Sequence, residues 1–370
     1  MKNKQTVFLV CTGLGHINRG FESFSRECFD ELKQSDDFGL YLLKGGGRTQ
    51  NNEIAVWNLA RNGKGNKILR KLTGKDAYYL EQLSFFLGML PTLFGKRPSL
   101  IYYSDFLLGT FLWNLRQRLR LNYRLLFSNG APNGPPFTRT DHIHQLLPVY
   151  LNQAIVEGTQ SEIQTVLPYA ISVNKEKVMK EILEIHQLRE ELQLPLGKKI
   201  IISVGAINSF HKRMDYLVSE FSLLDKSKYY LVLLGQIDAD SSSILNIASE
   251  TLDSATYRIT QVSQLEVNKY LVASDYFVLA SLNEGLPRVL PEALCAGLLP
   301  IVHDYVITRE TLKEYGVYLD LTLPGKLAEG INEVDKRNVG KTELVGFGWA
   351  HFSWQQLGSQ YQAMIKKNLG

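Results

Sequence analysis

Ala280-Ser281-Leu282-Asn283-Glu284-Gly285-Leu286-Pro287-Arg288-Val289-Leu290-Pro291-Glu292-Ala293-Leu294-Cys295-Ala296-Gly297 is the stretch from which the fold is read. An apolar run over 276–280 reads as a strand that ends at Ala280. Glu284 and Gly285 then sit in a tight turn. A short helix is expected to start near Val289 and to end at Gly297, where glycine suits a left-handed cap. Pro291 fits only in the first turn of such a helix. The apolar run 299–302 reads as the next strand. Strand, turn, helix and strand in this order is the grammar of a parallel sheet.

This local geometry has a chemical use. A helix N-terminus behind a strand presents unpaired N–H groups and a partial positive charge, which suit a diphosphate. Glu284 in the turn and Glu292 in the helix, separated by seven residues, then flank that anion. Carboxylates accept paired hydrogen bonds from vicinal hydroxyls, so Glu284 suits a sugar and Glu292 a ribose. The plain alternative makes Glu284 a surface turn residue and Glu292 a helix-start acid favoured by the dipole.

The chain of 370 residues is long enough for two domains. Its 45% hydrophobic and 21% charged residues are ordinary for a globular protein. Cys11, Cys28 and Cys295 form neither a disulfide framework nor a zinc pattern. The net charge of +4 is uneven: residues 1–170 carry 20 Lys and Arg against 13 Asp and Glu. The first half therefore carries the field for an anionic partner. Nucleic acid is disfavoured, because no zinc finger, RNP pattern or basic helix-turn-helix signal occurs. No secretory leader and no long uninterrupted apolar run is read, which points to a cytoplasmic protein.

Both halves repeat the same grammar. Strands are expected at 7–11, 40–43, 100–103, 123–127 and 142–147, and a helix at 21–33. The second half restarts with strands at 199–204, 229–234, 276–280 and 299–302, and helices at 214–224 and 354–367. We place the joint near 167–170. The expected fold class is α/β, with two Rossmann-like domains.

The full string around Glu284 and Glu292 resembles the hallmark of family 4 retaining glycosyltransferases of the GT-B fold, E-x7-E in the form EGxPxxxxEAxAxG. That resemblance implies two Rossmann-like domains facing a central cleft. Residues 1–168 form the acceptor side and 169–350 the nucleotide-sugar side, and a terminal helix, 351–370, returns to the first domain. It implies a hexose transferred with retention from a nucleotide sugar, UDP-glucose first and GDP-mannose second. The acceptor is a glycan or lipid-linked sugar in polysaccharide assembly, and no metal or other cofactor is expected. Lys212 matches the family's diphosphate lysine, and Glu284 and Lys212 are the expected catalytic residues. Gly285, Leu286, Pro287, Arg288, Val289 and Leu290 line the diphosphate, and Glu292 binds ribose. Val262 lies in the loop that holds the base. Gly15 and His16, in the turn after the first strand, bring backbone to the ligand. Asn129 stands where many relatives have a donor-sugar histidine. Ala206 falls where many have an arginine, so Arg213 or Arg288 is expected to supply that charge. The alternatives are a GT-B sugar-nucleotide epimerase and a non-catalytic nucleotide- or glycan-binding protein.

Four further features need placing. Asp238-Ala239-Asp240 has the form of a metal motif but is expected to be a polar turn. Arg61, Lys64, Lys67, Arg70, Lys71 and Lys75 form a stretch without an acid, suited to an anionic membrane at the cytoplasmic face or to a solvated surface. Arg116, Arg118, Arg120 and Arg124 carry the same ambiguity. His142 and His144 lie on a strand candidate, with at most one expected at a cleft and packing roles otherwise.

Overall fold

The computed structural model describes residues 4–17, 20–130 and 134–369. Asn18 and Arg19 of the first glycine-rich turn, and residues 131–133 of the loop after the fifth strand, lie outside them. The chain divides into two compact units, Met1–Ile171 with Trp354–Gly370, and Ser172–Ser353.

In the first unit the strands are β1 Gln5–Cys11, β2 Phe38–Lys44, β3 Glu53–Ala55, β4 Leu100–Tyr103, β5 Arg124–Ser128, β6 His142–Gln145 and β7 Gln164–Val166. They form one sheet in the order β3-β2-β1-β4-β5-β6-β7, and every pair is parallel. The second unit has β8 Lys199–Val204, β9 Tyr229–Leu234, β10 Tyr257–Thr260, β11 Tyr276–Leu279, β12 Pro300–His303 and β13 Val317–Leu319. Its sheet runs β10-β9-β8-β11-β12-β13, again parallel throughout. Helices cover both faces of such sheets, so central strands read as continuous apolar runs. Val7 to Val10, Ile200 to Ile202 and Leu231 to Leu234 are accordingly all within 1% of full burial. Both units are Rossmann-like.

The terminal helix Trp354–Lys367 belongs to the first unit because aromatic rings hold it there. Trp354 stacks on Phe24 at 5.9 Å, and Phe24 stacks on Tyr169 at 4.1 Å. Tyr361 donates its hydroxyl to Pro168 O at 2.8 Å. The apolar stretch before and after β4 forms two helices, Ala77–Lys96 and Phe106–Leu119. A helix apolar on all sides has no polar stripe, so its period is hidden in the sequence. One boundary is corrected: β6 stops at Gln145, and Leu147 is the N-cap of the helix Pro148–Val156. The helix after Glu284 is Val289–Cys295, with Pro291 in its first turn and Gly297 left-handed at φ +78 just past its end, as expected.

Candidate active site

In the second unit the strand order reverses between β8 and β11. Ligands of open parallel sheets bind outside the carboxyl ends of strands at such a point. Two loops meet there. After β8, Asn208 shapes the turn by accepting from the backbone N–H of His211 and Lys212, both at 3.0 Å. The Lys212 stem crosses the face of Gly205, where a Cβ would lie 2.9 Å from its Cδ. Gly205 in turn lies against Gly235, whose Cβ would fall 1.6 Å from Gly205 O. After β11, the loop carries Glu284. Lys212 Nζ donates to Glu284 Oε1, and the two side chains are 14% and 10% exposed.

Glu292 is buried in the helix Val289–Cys295. Its Oε1 accepts from Gln264 Nε2 at 3.2 Å, and Arg288 Nε lies 3.7 Å from the same oxygen. Gln264 begins the helix Gln264–Ala273, whose N-cap Ser263 forms a capping box with Glu266. Val262 immediately precedes that cap, so the structure brings its loop beside Glu292. Gln264 is a neighbour the sequence did not indicate; a lone glutamine after a strand carries no motif.

The first turn of this helix leaves few backbone donors open. Leu290 N–H is taken by Pro287 O at 3.0 Å, Pro291 has none, and Glu292 N–H closes onto Arg288 O. Any backbone donation from this segment therefore comes from residues ahead of Leu290, where Pro287 too has no N–H to give. Gly285, Leu286, Pro287, Arg288 and Val289 form that approach.

Arg213 and Arg288 are both engaged. Arg213 donates to Leu321 O at 2.8 Å and lies over the Tyr216 ring at 4.6 Å. Arg288 is buried against Glu292. Asp238 is a turn cap: its carboxylate accepts from Asp240 N–H at 3.0 Å. Among the described residues, no group of three His, Cys, Asp or Glu is gathered as a metal site.

The first unit has its own reversal between β1 and β4. Gly15, with φ +93, meets Gly46 so closely that a Cβ would lie 2.6 Å from the Gly46 carbonyl carbon. His16 Nε2 contacts Asn58 Oδ1 at 3.2 Å. Asn129 is 3% exposed, with its amide on Gln145 Oε1 at 2.9 Å. Sequence reading did not single out the polar group at this reversal. Thr12 Oγ1 donates to Asp105 Oδ2 at 2.6 Å, and Gln82 donates to Thr12 at 2.9 Å. Burial pushes the Asp105 carboxyl above the usual range.

Two basic clusters are partly neutralised. Arg61 pairs with buried Glu81 at 2.7 Å, and Arg116 forks onto Asp141. His142 and His144 are both buried. Residues two apart on a strand share a face, so the expectation that only one would face a cleft fails on geometry. His142 meets Thr165 at 2.8 Å. His144 donates Nε2–H to Leu167 O at 2.8 Å, which leaves Nδ1 to accept from Tyr102 OH at 2.6 Å. The three cysteines are free and buried.

Residues 184–342 match the family described as Glycosyl transferases group 1, a span that includes Lys212, Val262 and the segment from Glu284 to Glu292. Over 185 residues, 49% of this chain, the sequence is 29% identical to TuaC of Bacillus subtilis (strain 168), a candidate teichuronic acid biosynthesis glycosyltransferase. The match takes in 43% of that protein, so the chain spans less than half the length of the curated relative. Among solved structures, sucrose-phosphate synthase from Thermosynechococcus elongatus superposes with a TM-score of 0.76 at 17% identity, covering 98% of this chain and 100% of that one. Anabaena HepE in complex with UDP-glucose gives 0.72 at 11% identity, covering 98% and 100%. At such identities the likeness is one of fold: two Rossmann-like α/β domains of the GT-B type.

Proposed function

We propose that the chain is a glycosyltransferase that moves a hexose from a nucleotide sugar to a glycan or lipid-linked acceptor. The observation that carries this reading is the meeting of Lys212 and Glu284 at the β8/β11 reversal, inside the segment that matches the group 1 family. Lys212 is assigned to the donor diphosphate, Glu284 to hydroxyls of the transferred sugar, Glu292 to ribose and the loop at Val262 to the base. Donor binding then exchanges one ion pair for two contacts: the ammonium passes to phosphate oxygens and the carboxylate to sugar hydroxyls. The acceptor side is assigned to the first unit.

The anomeric carbon loses its bond to the diphosphate oxygen and gains one to an acceptor hydroxyl oxygen. We assign retention by same-face attack, in which the departing phosphate takes the acceptor proton. Catalysis then rests on positioning and on stabilising the leaving charge. UDP-glucose is the first donor to test, supported by the complex of the fold relative HepE. A polysaccharide pathway is supported by the partial match to TuaC.

The test is nucleotide release. The purified chain is incubated with UDP- and GDP-sugars, with and without candidate acceptors, and the anomeric configuration of the product is read by NMR. Acceptor-dependent release of UDP with an α-linked product from an α-linked donor upholds the reading. Conversion of one nucleotide sugar to another without transfer identifies an epimerase. Binding without release identifies a non-catalytic protein, a second reading favoured by Ala206 together with the prior engagement of Arg213 and Arg288.

A further inference from the structure

The helix Lys64–Thr73 in the first unit turns almost its whole circumference to solvent; Asn66 is its buried residue. The Asn66 amide donates to Leu59 O and Ala77 O, each at 3.0 Å, and so pins one face of the helix to the body. At about 100° per residue, the opposite face carries Lys64, Lys67, Ile68, Lys71 and Leu72. Ile68 is 60% exposed and Leu72 79%. Among the described residues, Lys64, Lys67, Arg70 and Lys71 pair with no carboxylate, and no acid lies between Arg61 and Lys75. Arg61 itself is removed from this set by Glu81.

A single exposed leucine is unremarkable on a protein surface. Two branched apolar side chains on successive turns, rimmed by unneutralised cations, match a layered partner instead. We propose that this helix lies in the surface of an anionic lipid bilayer. Ile68 and Leu72 enter the acyl boundary and the lysines meet lipid phosphates. Charge complementarity selects the lipid, because a bilayer presents an anionic layer directly above an apolar one along the whole helix. No helix among the described residues is long and apolar enough to cross a membrane, so the contact is interfacial. The proposal stands on this surface and not on the donor site.

The full chain, without nucleotide sugar, is sedimented with vesicles of phosphatidylcholine alone and of phosphatidylcholine with phosphatidylglycerol. Binding to the anionic vesicles only, weakening as salt rises, is expected. Lys67→Gln with Lys71→Gln should reduce partition about thirtyfold. Ile68→Ser with Leu72→Ser should reduce it by at least about tenfold at low salt. Both pairs are exposed, so melting temperatures should not move. If either pair does shift melting, hydrogen exchange over 64–73 in the unaltered protein decides: protection by anionic vesicles supports the proposal and unchanged exchange overturns it. Absence of binding at low salt, equal binding to neutral vesicles, or binding that survives both pairs also overturns it. Self-association that Ile68→Ser with Leu72→Ser abolishes assigns the face to a second copy and overturns it as well.

Discussion

Lys212 and Glu284 are 72 residues apart in sequence and form an ion pair across the seam between β8 and β11. Both side chains are largely buried. Breaking a buried pair by removing one partner leaves an uncompensated charge. Lys212→Met should therefore destabilise the second unit by about 3 kcal/mol. The double variant Lys212→Met, Glu284→Gln should regain more than half of that loss. Chemical denaturation of the four proteins in a double-mutant cycle measures the coupling; additive effects would show that the pair is not coupled.

The two glutamates should separate kinetically. Ribose is unchanged in the reaction, so Glu292→Gln should weaken free nucleotide and nucleotide sugar alike, by roughly 1.5–3 kcal/mol. The transferred sugar gains positive charge on the way to the transition state. Glu284→Gln should therefore lower turnover, and because it releases Lys212 from its ion pair it should not weaken free-nucleotide binding. Calorimetric titration with nucleotide and steady-state kinetics check this. Loss of nucleotide binding in Glu284→Gln alone would reverse the two roles.

Donor binding should persist in excess chelator. Lys212 is the cation assigned to the diphosphate, and the Asp238 carboxylate is occupied as a turn cap on Asp240 N–H. Turnover strictly dependent on magnesium or manganese, and abolished by Asp238→Ala, would remove the assignment.

Gly235 should not tolerate a side chain. Its Cβ would overlap Gly205 O at 1.6 Å, and Gly205 carries the stem of Lys212. Gly235→Ala should cost about 1–3 kcal/mol through overpacking. Nucleotide affinity should fall as well, because the loop bearing Lys212 must shift. Denaturation and nucleotide titration read the two effects separately.

The first unit should lose stability in mild acid. Burial lowers the His144 pKa to about 4, below the ordinary value of about 6.5 that the unfolded chain recovers. The unfolded state then binds a proton that the native state refuses. Stability is full above about pH 6.5 and falls as pH drops toward 4, by about 3 kcal/mol for this residue. His142, lowered to about 4 by burial, acts in the same direction. Melting temperature followed from pH 7 to 4 should decline, and less so in His144→Gln.

Some of this architecture is legible one residue after another. Central strands such as Ile200 to Ile202 and Leu231 to Leu234 are buried on both faces, so their apolar runs declare themselves. The three-residue edge strands of the first sheet, Glu53–Ala55 and Gln164–Val166, carry no such run. The helix Ala77–Lys96 hid its period because Leu87 and Phe94 are exposed apolar residues on its outer face.

The class of fold, the turn that holds Glu284, the helix that holds Glu292, and Lys212 as a cation behind a strand are all legible in the amino-acid order. These rest on local signals: burial runs, turn glycines and the place of proline in a first helical turn. Which of these groups meet depends on long-range packing. Strand order sets β11 beside β8, and that neighbourhood joins Glu284 to Lys212. The same long-range packing gave Gln264 to Glu292, tied Arg213 to Leu321 O and took Arg61 out of the basic face by pairing it with Glu81. A side chain's charge is written in the sequence, but its partner depends on which distant elements the sheet order brings within hydrogen-bond reach.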